Sequence, residues 1–202
     1  MRVPDRRAAA NVAAAAVALL TLLAWQHAAH AADAAAGQQK AQVCVACHGP
    51  DGNSTLPATP SLAGQPAQFI ATQLLMFRES KRKDAQMSPF AAGLSNADLN
   101  NIAAYFSAQK LAQPTYTAEP AQAEAGARLA RQYNCVQCHG PALLGQQHIP
   151  RLAGQQQMYL KAQLKGFKAS TRFDMDGQMT SAVQALSESD IEILANYLAG
   201  IK

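Results

Sequence analysis

Cys44-Val45-Ala46-Cys47-His48 and Cys135-Val136-Gln137-Cys138-His139 decide the reading of this chain. The two stretches share one pattern, CxxCH, and use all four cysteines of the 202 residues. Two thiols three residues apart lie on one helical turn. Both can reach the vinyl-derived positions on one edge of a porphyrin, and the next residue can turn its imidazole onto the iron. Each CxxCH is therefore read as an attachment site for haem c, with His48 and His139 as iron ligands. A thioredoxin-like CxxC needs a strand before the motif, and neither stretch has one. A zinc site needs a fourth ligand, and none stands near either pair. Two plain disulfides would leave both histidines unexplained.

The motifs head an internal repeat. Cys44 and Cys135 are 91 positions apart by number. Leu62-Ala63-Gly64-Gln65 recurs as Leu152-Ala153-Gly154-Gln155, Gln73-Leu74 as Gln163-Leu164, and Phe77 as Phe167. Leu94-Ser95 recurs as Leu186-Ser187, Asp98 as Asp190, and Tyr105 as Tyr197. One domain is thus duplicated: residues 32–108, a linker over 109–120 carrying Pro114 and Pro120, and residues 121–202. Halves of this size bury too little side-chain area to be amply stable by themselves, so a haem is expected to complete each core.

The elements read as all-α. A helix leads from Ala34 into the first motif, and Pro66 suits the first turn of the next, which runs to about Glu79. A loop from Ser80 to Gly93 follows, and Ser95 caps a last helix to about Ala108. Ser95-x-x-Asp98 and Ser187-x-x-Asp190 are capping boxes, with Leu94/Leu99 and Leu186/Ile191 as hydrophobic staples. Tyr105 and Tyr197 are expected to pack on the haem or the opening helix. Their hydroxyls are placed to reach a propionate or the other domain.

Residues 1–31 read as a secretory signal peptide. Arg2, Arg6 and Arg7 precede an Ala-rich apolar run from Ala8 to Trp25, and Ala29-His30-Ala31 fits small-x-small cleavage. A retained anchor is the alternative, since the run is near the lower limit for spanning a bilayer. Removal of Arg2, Asp5, Arg6 and Arg7 lowers the formal charge from +4 to +2, and four propionates would bring it to about −2. With 15 % charged and 49 % hydrophobic residues, the chain is globular and no nucleic-acid binder.

The sixth position of iron in an electron-transfer haem is usually filled by Met. Met76 and Met87 are available in the first half, and Met158, Met175 and Met179 in the second. Met76 and Met158 lie within helical patterns, whereas Met87 and Met179 occupy matched places before the last helix. Met87 and Met179 are therefore taken as the ligands. His148 has no counterpart in the first half and is read as solvent-exposed or propionate-contacting. A carbonyl near Pro60 and Pro150 is placed to accept the proton on each ligand histidine. Arg82 and Arg172 match in the repeat and are candidate propionate partners.

Together, CVACHG, CVQCHG, the repeated LAGQ, the QL…F helix, the Met-bearing loops and the LSxxD…Y helices resemble the dihaem cytochrome c4 family over residues 32–202. The resemblance implies two tandem class I cytochrome c domains related by a pseudo-twofold axis. It also implies His48/Met87 and His139/Met179 as axial pairs of two haem c groups. It further implies a periplasmic carrier passing electrons from a quinol-oxidising respiratory complex to a terminal oxidase, through transient contacts and with no small-molecule substrate. Peripheral association with the inner membrane is compatible with it. An electron-transfer subunit of a periplasmic dehydrogenase or denitrification enzyme is the alternative, with a catalytic peroxidase-like dihaem protein behind it. Filled axial positions argue against an enzyme.

If haem completes each core, replacing Cys44, Cys47, Cys135 and Cys138 by Ala is expected to abolish a cooperative thermal transition, read by far-ultraviolet circular dichroism.

Overall fold

The computed structural model describes residues 31–202, so the signal-peptide reading and all but the last residue of its segment lie outside the described residues. Among the described residues the secondary structure is helical apart from one isolated bridge between Gln146 and Ile149. The first lobe holds α1 (Ala34–Lys40), a 3-10 turn (Ala41–Val43), α2 (Val45–His48), α3 (Ala67–Arg78), α4 (Met87–Ala92) and α5 (Asn96–Ser107). The second holds α6 (Pro120–Gln132), α7 (Cys135–His139), α8 (Gln157–Lys168), α9 (Gln178–Ala182) and α10 (Glu188–Ala199). Between α5 and α6 the backbone is not helical. Pro120 opens α6, where its missing N–H costs nothing.

In each lobe the opening helix crosses the closing one through a glycine. A Cβ on Gly37 would lie 1.9 Å from the Asn101 carbonyl oxygen, and one on Gly126 2.2 Å from Tyr197 Cβ. Tyr197 therefore packs on the opening helix. Of the two partners expected for the tyrosine hydroxyls, a propionate or the other lobe, Tyr105 does not take the second: it donates to the Pro50 carbonyl of its own lobe at 3.2 Å.

The first core joins Ala41, Ile70, Leu74, Leu99, Ile102, Ala103, Tyr105 and Phe106. In the second lobe, one cluster centres on Leu164, Phe167, Ile191 and Leu194, and another on Leu143, Leu160 and Leu198. One matched position is filled differently in the two halves. Gly52, at φ +75°, carries a carbonyl bonded by the N–H groups of Leu62 and Ala63. Leu143, at φ +56°, does the same for Leu152 and Ala153. A side chain on Gly52 would meet Phe106 Cδ1 at 2.7 Å. The second lobe has the smaller Leu198 where the first has Phe106, and Leu143 is buried in the space.

Both capping boxes form. Ser95 N–H donates to Asp98 at 2.9 Å and Ser187 N–H to Asp190 at 2.9 Å, while each serine hydroxyl accepts the aspartate N–H. The bond from the serine backbone is the main cause that holds Asp98 and Asp190 below the usual carboxylate range. A depressed carboxyl stabilises the fold above its unfolded value, and that stability is lost as pH falls through the folded value. Ser95→Ala and Ser187→Ala are each expected to cost about 1 kcal/mol at neutral pH. In thermal melts the deficit should narrow as pH falls below the ordinary carboxylate range and the aspartates protonate.

Candidate haem centres

The CxxCH turns are short helices closed by glycines. Cys44, which caps α2, is half-buried and Cys47 within it exposed, and in α7 Cys135 and Cys138 repeat this; all four thiols are free. Burial pushes the Cys44 and Cys135 thiols up. The histidines that follow are buried, at 4 % exposure for His48 and 6 % for His139. His48 Nδ1 lies 2.8 Å from the Pro60 carbonyl oxygen, and His139 Nδ1 lies 2.8 Å from that of Pro150. A carbonyl oxygen only accepts, so Nδ1 carries the proton and Nε2 keeps its lone pair. Burial, partly opposed by that carbonyl, lowers both imidazoles. Both are therefore neutral at pH 7, the form in which histidine binds iron.

Met87 and Met179 do not sit in plain loops. Each lies in a short helix, α4 or α9, half-buried against the core of its lobe. The positions were legible from the repeat, but the residues that hold them were not. Asp84 accepts the N–H groups of Gln86 and Met87 at 2.9 and 2.8 Å. Asp174 accepts the N–H of Met179 at 2.8 Å, and the N–H and hydroxyl of Thr180 at 3.1 and 2.6 Å. Burial pushes Asp174 up, but the Thr180 hydroxyl and these N–H groups outweigh it and hold the carboxyl low. The signal was present as Arg82-x-Asp84 and Arg172-x-Asp174, 90 positions apart by number. Of the other methionines, Met76 is buried in α3, while Met158 and Met175 are exposed. His148 is exposed, with Nε2 3.9 Å from Asp176.

Arg82 and Arg172 meet between the lobes. Each guanidinium stacks on a phenylalanine of its own lobe, 4.5 Å from the Phe77 centroid and 4.4 Å from that of Phe167. Arg82 donates to Gln73 at 2.6 Å, and across the interface to Gln163 at 3.0 Å and Tyr159 at 3.3 Å. Arg172 donates to Gln163 at 2.5 Å and across to Gln73 at 3.4 Å. Burial raises Tyr159, but the two guanidiniums more than offset it and leave the phenol below its ordinary value. Burial lowers Arg172 and Arg151 each to about 10, so both stay positive at neutral pH.

These features fit the haem group. The Nε atoms of Arg151 and Arg172 are buried without a partner. Among the described residues no carboxylate forms a salt bridge with Arg82, Arg151 or Arg172. Uncompensated buried cations cost several kcal/mol each, and the two carboxylates on each haem are anions of the right kind. When bound, haem iron supplies a reversible one-electron couple.

Fold and sites together define a two-domain class I cytochrome c. A family model described as cytochrome c matches residues 34–110 and 123–202. A cytochrome c4 of Pseudomonas aeruginosa is 39 % identical over 196 residues, covering 92 % of this chain and 97 % of the relative. The crystal structure of reduced recombinant cytochrome c4 from Pseudomonas stutzeri superposes with a TM-score of 0.78 at 37 % identity, covering 85 % of this chain and all of that one. A thiosulfate dehydrogenase electron acceptor of Thiomonas intermedia is 36 % identical, covering 91 % of this chain and 88 % of that protein. The chain belongs to the cytochrome c4 family. It is a periplasmic electron carrier rather than an enzyme, with two haem c groups held through its CxxCH motifs.

Asp174→Ala removes three bonds to one carboxylate. Its expected cost is about 2 kcal/mol, read as a lower denaturant midpoint than in the parent protein.

Proposed function

We propose that this chain takes electrons from a periplasmic dehydrogenase and passes them on toward a terminal oxidase. The observation that carries this reading is the near-equal construction of two buried His–Pro pairs, joined by a continuous polar interface, in one chain. Dehydrogenases withdraw electrons in pairs, and a chain with two one-electron centres holds the pair. The relative described as a thiosulfate dehydrogenase electron acceptor supports the same donor class. A quinol-oxidising complex is the second reading for the donor, supported by the overall resemblance to cytochromes c4.

In this proposal His48 and Met87 ligate the first iron, and His139 and Met179 the second. Pro60 and Pro150 fix the imidazoles through their carbonyls. Arg82 and Arg172 counter the propionates where the lobes meet. With both axial positions filled, no substrate reaches iron, and the protein's task is to orient, bury and tune two redox groups. The neutral, Nδ1-protonated histidines and the Asp-held methionine segments support this set.

The test is rapid mixing of the oxidised two-haem protein with a thiosulfate dehydrogenase plus thiosulfate, and separately with a quinol-oxidising complex. Reduction of both haems by the dehydrogenase at least tenfold faster than by the complex is expected. The reverse order overturns the dehydrogenase reading. Met87→Ala and Met179→Ala should each remove about half of the far-red band and leave the other half intact.

A further inference from the structure

The carbonyl of Pro60 and the N–H of Ser61 are two ends of one peptide group. Its oxygen accepts His48 Nδ1–H at 2.8 Å, and its N–H donates at 2.8 Å to Oε1 of Gln155, a residue of the other lobe. Gln155 Nε2 donates back to the Ser61 carbonyl at 2.9 Å. The second lobe mirrors this. The Pro150 carbonyl accepts His139 Nδ1–H at 2.8 Å, the Arg151 N–H donates to Gln65 Oε1 at 2.9 Å, and Gln65 Nε2 donates to the Arg151 carbonyl at 2.9 Å. The final residue of each LAGQ segment therefore leaves its own lobe and grips the peptide that holds the other lobe's histidine. Both glutamines are buried, at 3 % and 4 % exposure.

Hydrogen bonds in series polarise one another, and the effect is greater where water is excluded. An amide whose N–H is engaged carries more negative charge on its oxygen. That oxygen pulls harder on Nδ1–H, so the imidazole becomes a richer donor to iron and favours the oxidised state. We propose that Gln155 and Gln65 are positioning residues, each lowering the reduction potential of the haem in the opposite lobe. The proposal rests on His48 and His139 being the axial histidines.

The test measures the two potentials separately in the full two-haem chain, by spectroelectrochemical titration with the haem methyl resonances resolved by NMR. Gln155→Leu should favour reduction of the first-lobe haem by threefold to tenfold, about 30 to 60 mV at 59 mV per tenfold. The second-lobe haem should stay nearly fixed. Gln65→Leu should do the converse. Gln155→Glu and Gln65→Glu keep an acceptor oxygen at similar volume, and should shift the opposite haem downward. Gln156→Leu removes a different bond between the lobes, from Gln156 to the Ser54 carbonyl, and should leave both potentials unmoved. Equal shifts in both haems, a shift in the variant's own lobe, or none overturns the proposal. Failure of the ligand assignment is read in the parent protein itself, as a high-spin component that binds carbon monoxide, and overturns both. A low-spin parent with unmoved variants overturns only the role of the glutamines.

Discussion

The hydrogen bond from the histidine of each CxxCH to the proline carbonyl is the contact on which most of this structure turns. It selects the tautomer that leaves Nε2 free for iron. It draws the loop after each CxxCH turn across the buried face of the lobe, so that Leu62-Ala63 and Leu152-Ala153 can bond back to that turn. The same peptide then offers its N–H outward, where the other lobe receives it. One bond thus links the CxxCH helix, the loop that closes over it and the meeting of the lobes.

The interface built on it is polar and strongly cationic at its centre. Arg82 and Arg172 share Gln73 and Gln163, and Tyr159 lies between them. Arg151 reaches the Ala63 carbonyl across the boundary at 3.1 Å. Among the described residues no protein carboxylate forms a salt bridge with these guanidiniums. Carboxylates of bound haem groups would be anions of the right sign for these cations.

The helices and their ends were readable because local chemistry writes them: Ser-x-x-Asp needs only four residues to cap a helix, and the repeat exposed matched positions. The histidine–proline bonds were legible for the same reason. The short helices at Met87 and Met179 were not, because Asp84 and Asp174 hold them through backbone N–H groups, and the matched Arg-x-Asp triplets do not by themselves say which groups the aspartates bind. Gln65 and Gln155 were visible as a motif, yet their exchange between lobes was not, since a repeated segment looks the same whether it serves its own half or the other. Arg82 and Arg172 could be matched in sequence, but that each crosses to the other lobe's glutamine depends on the approach of surfaces far apart in the chain.

The contrast between Gly52 with Phe106 and Leu143 with Leu198 bears on how the duplicated halves have diverged. Bulk missing from one position is supplied by its neighbour, so the two pairs fill equivalent space by different routes. Placing Leu at 52 alone drives it into the Phe106 ring, and placing Gly at 143 alone hollows out a core that Leu198 is too small to fill. Neither half tolerates the other's residue singly. Sequence exchange between the repeats by recombination must therefore carry both positions together, which keeps the halves distinct even while their backbones remain alike.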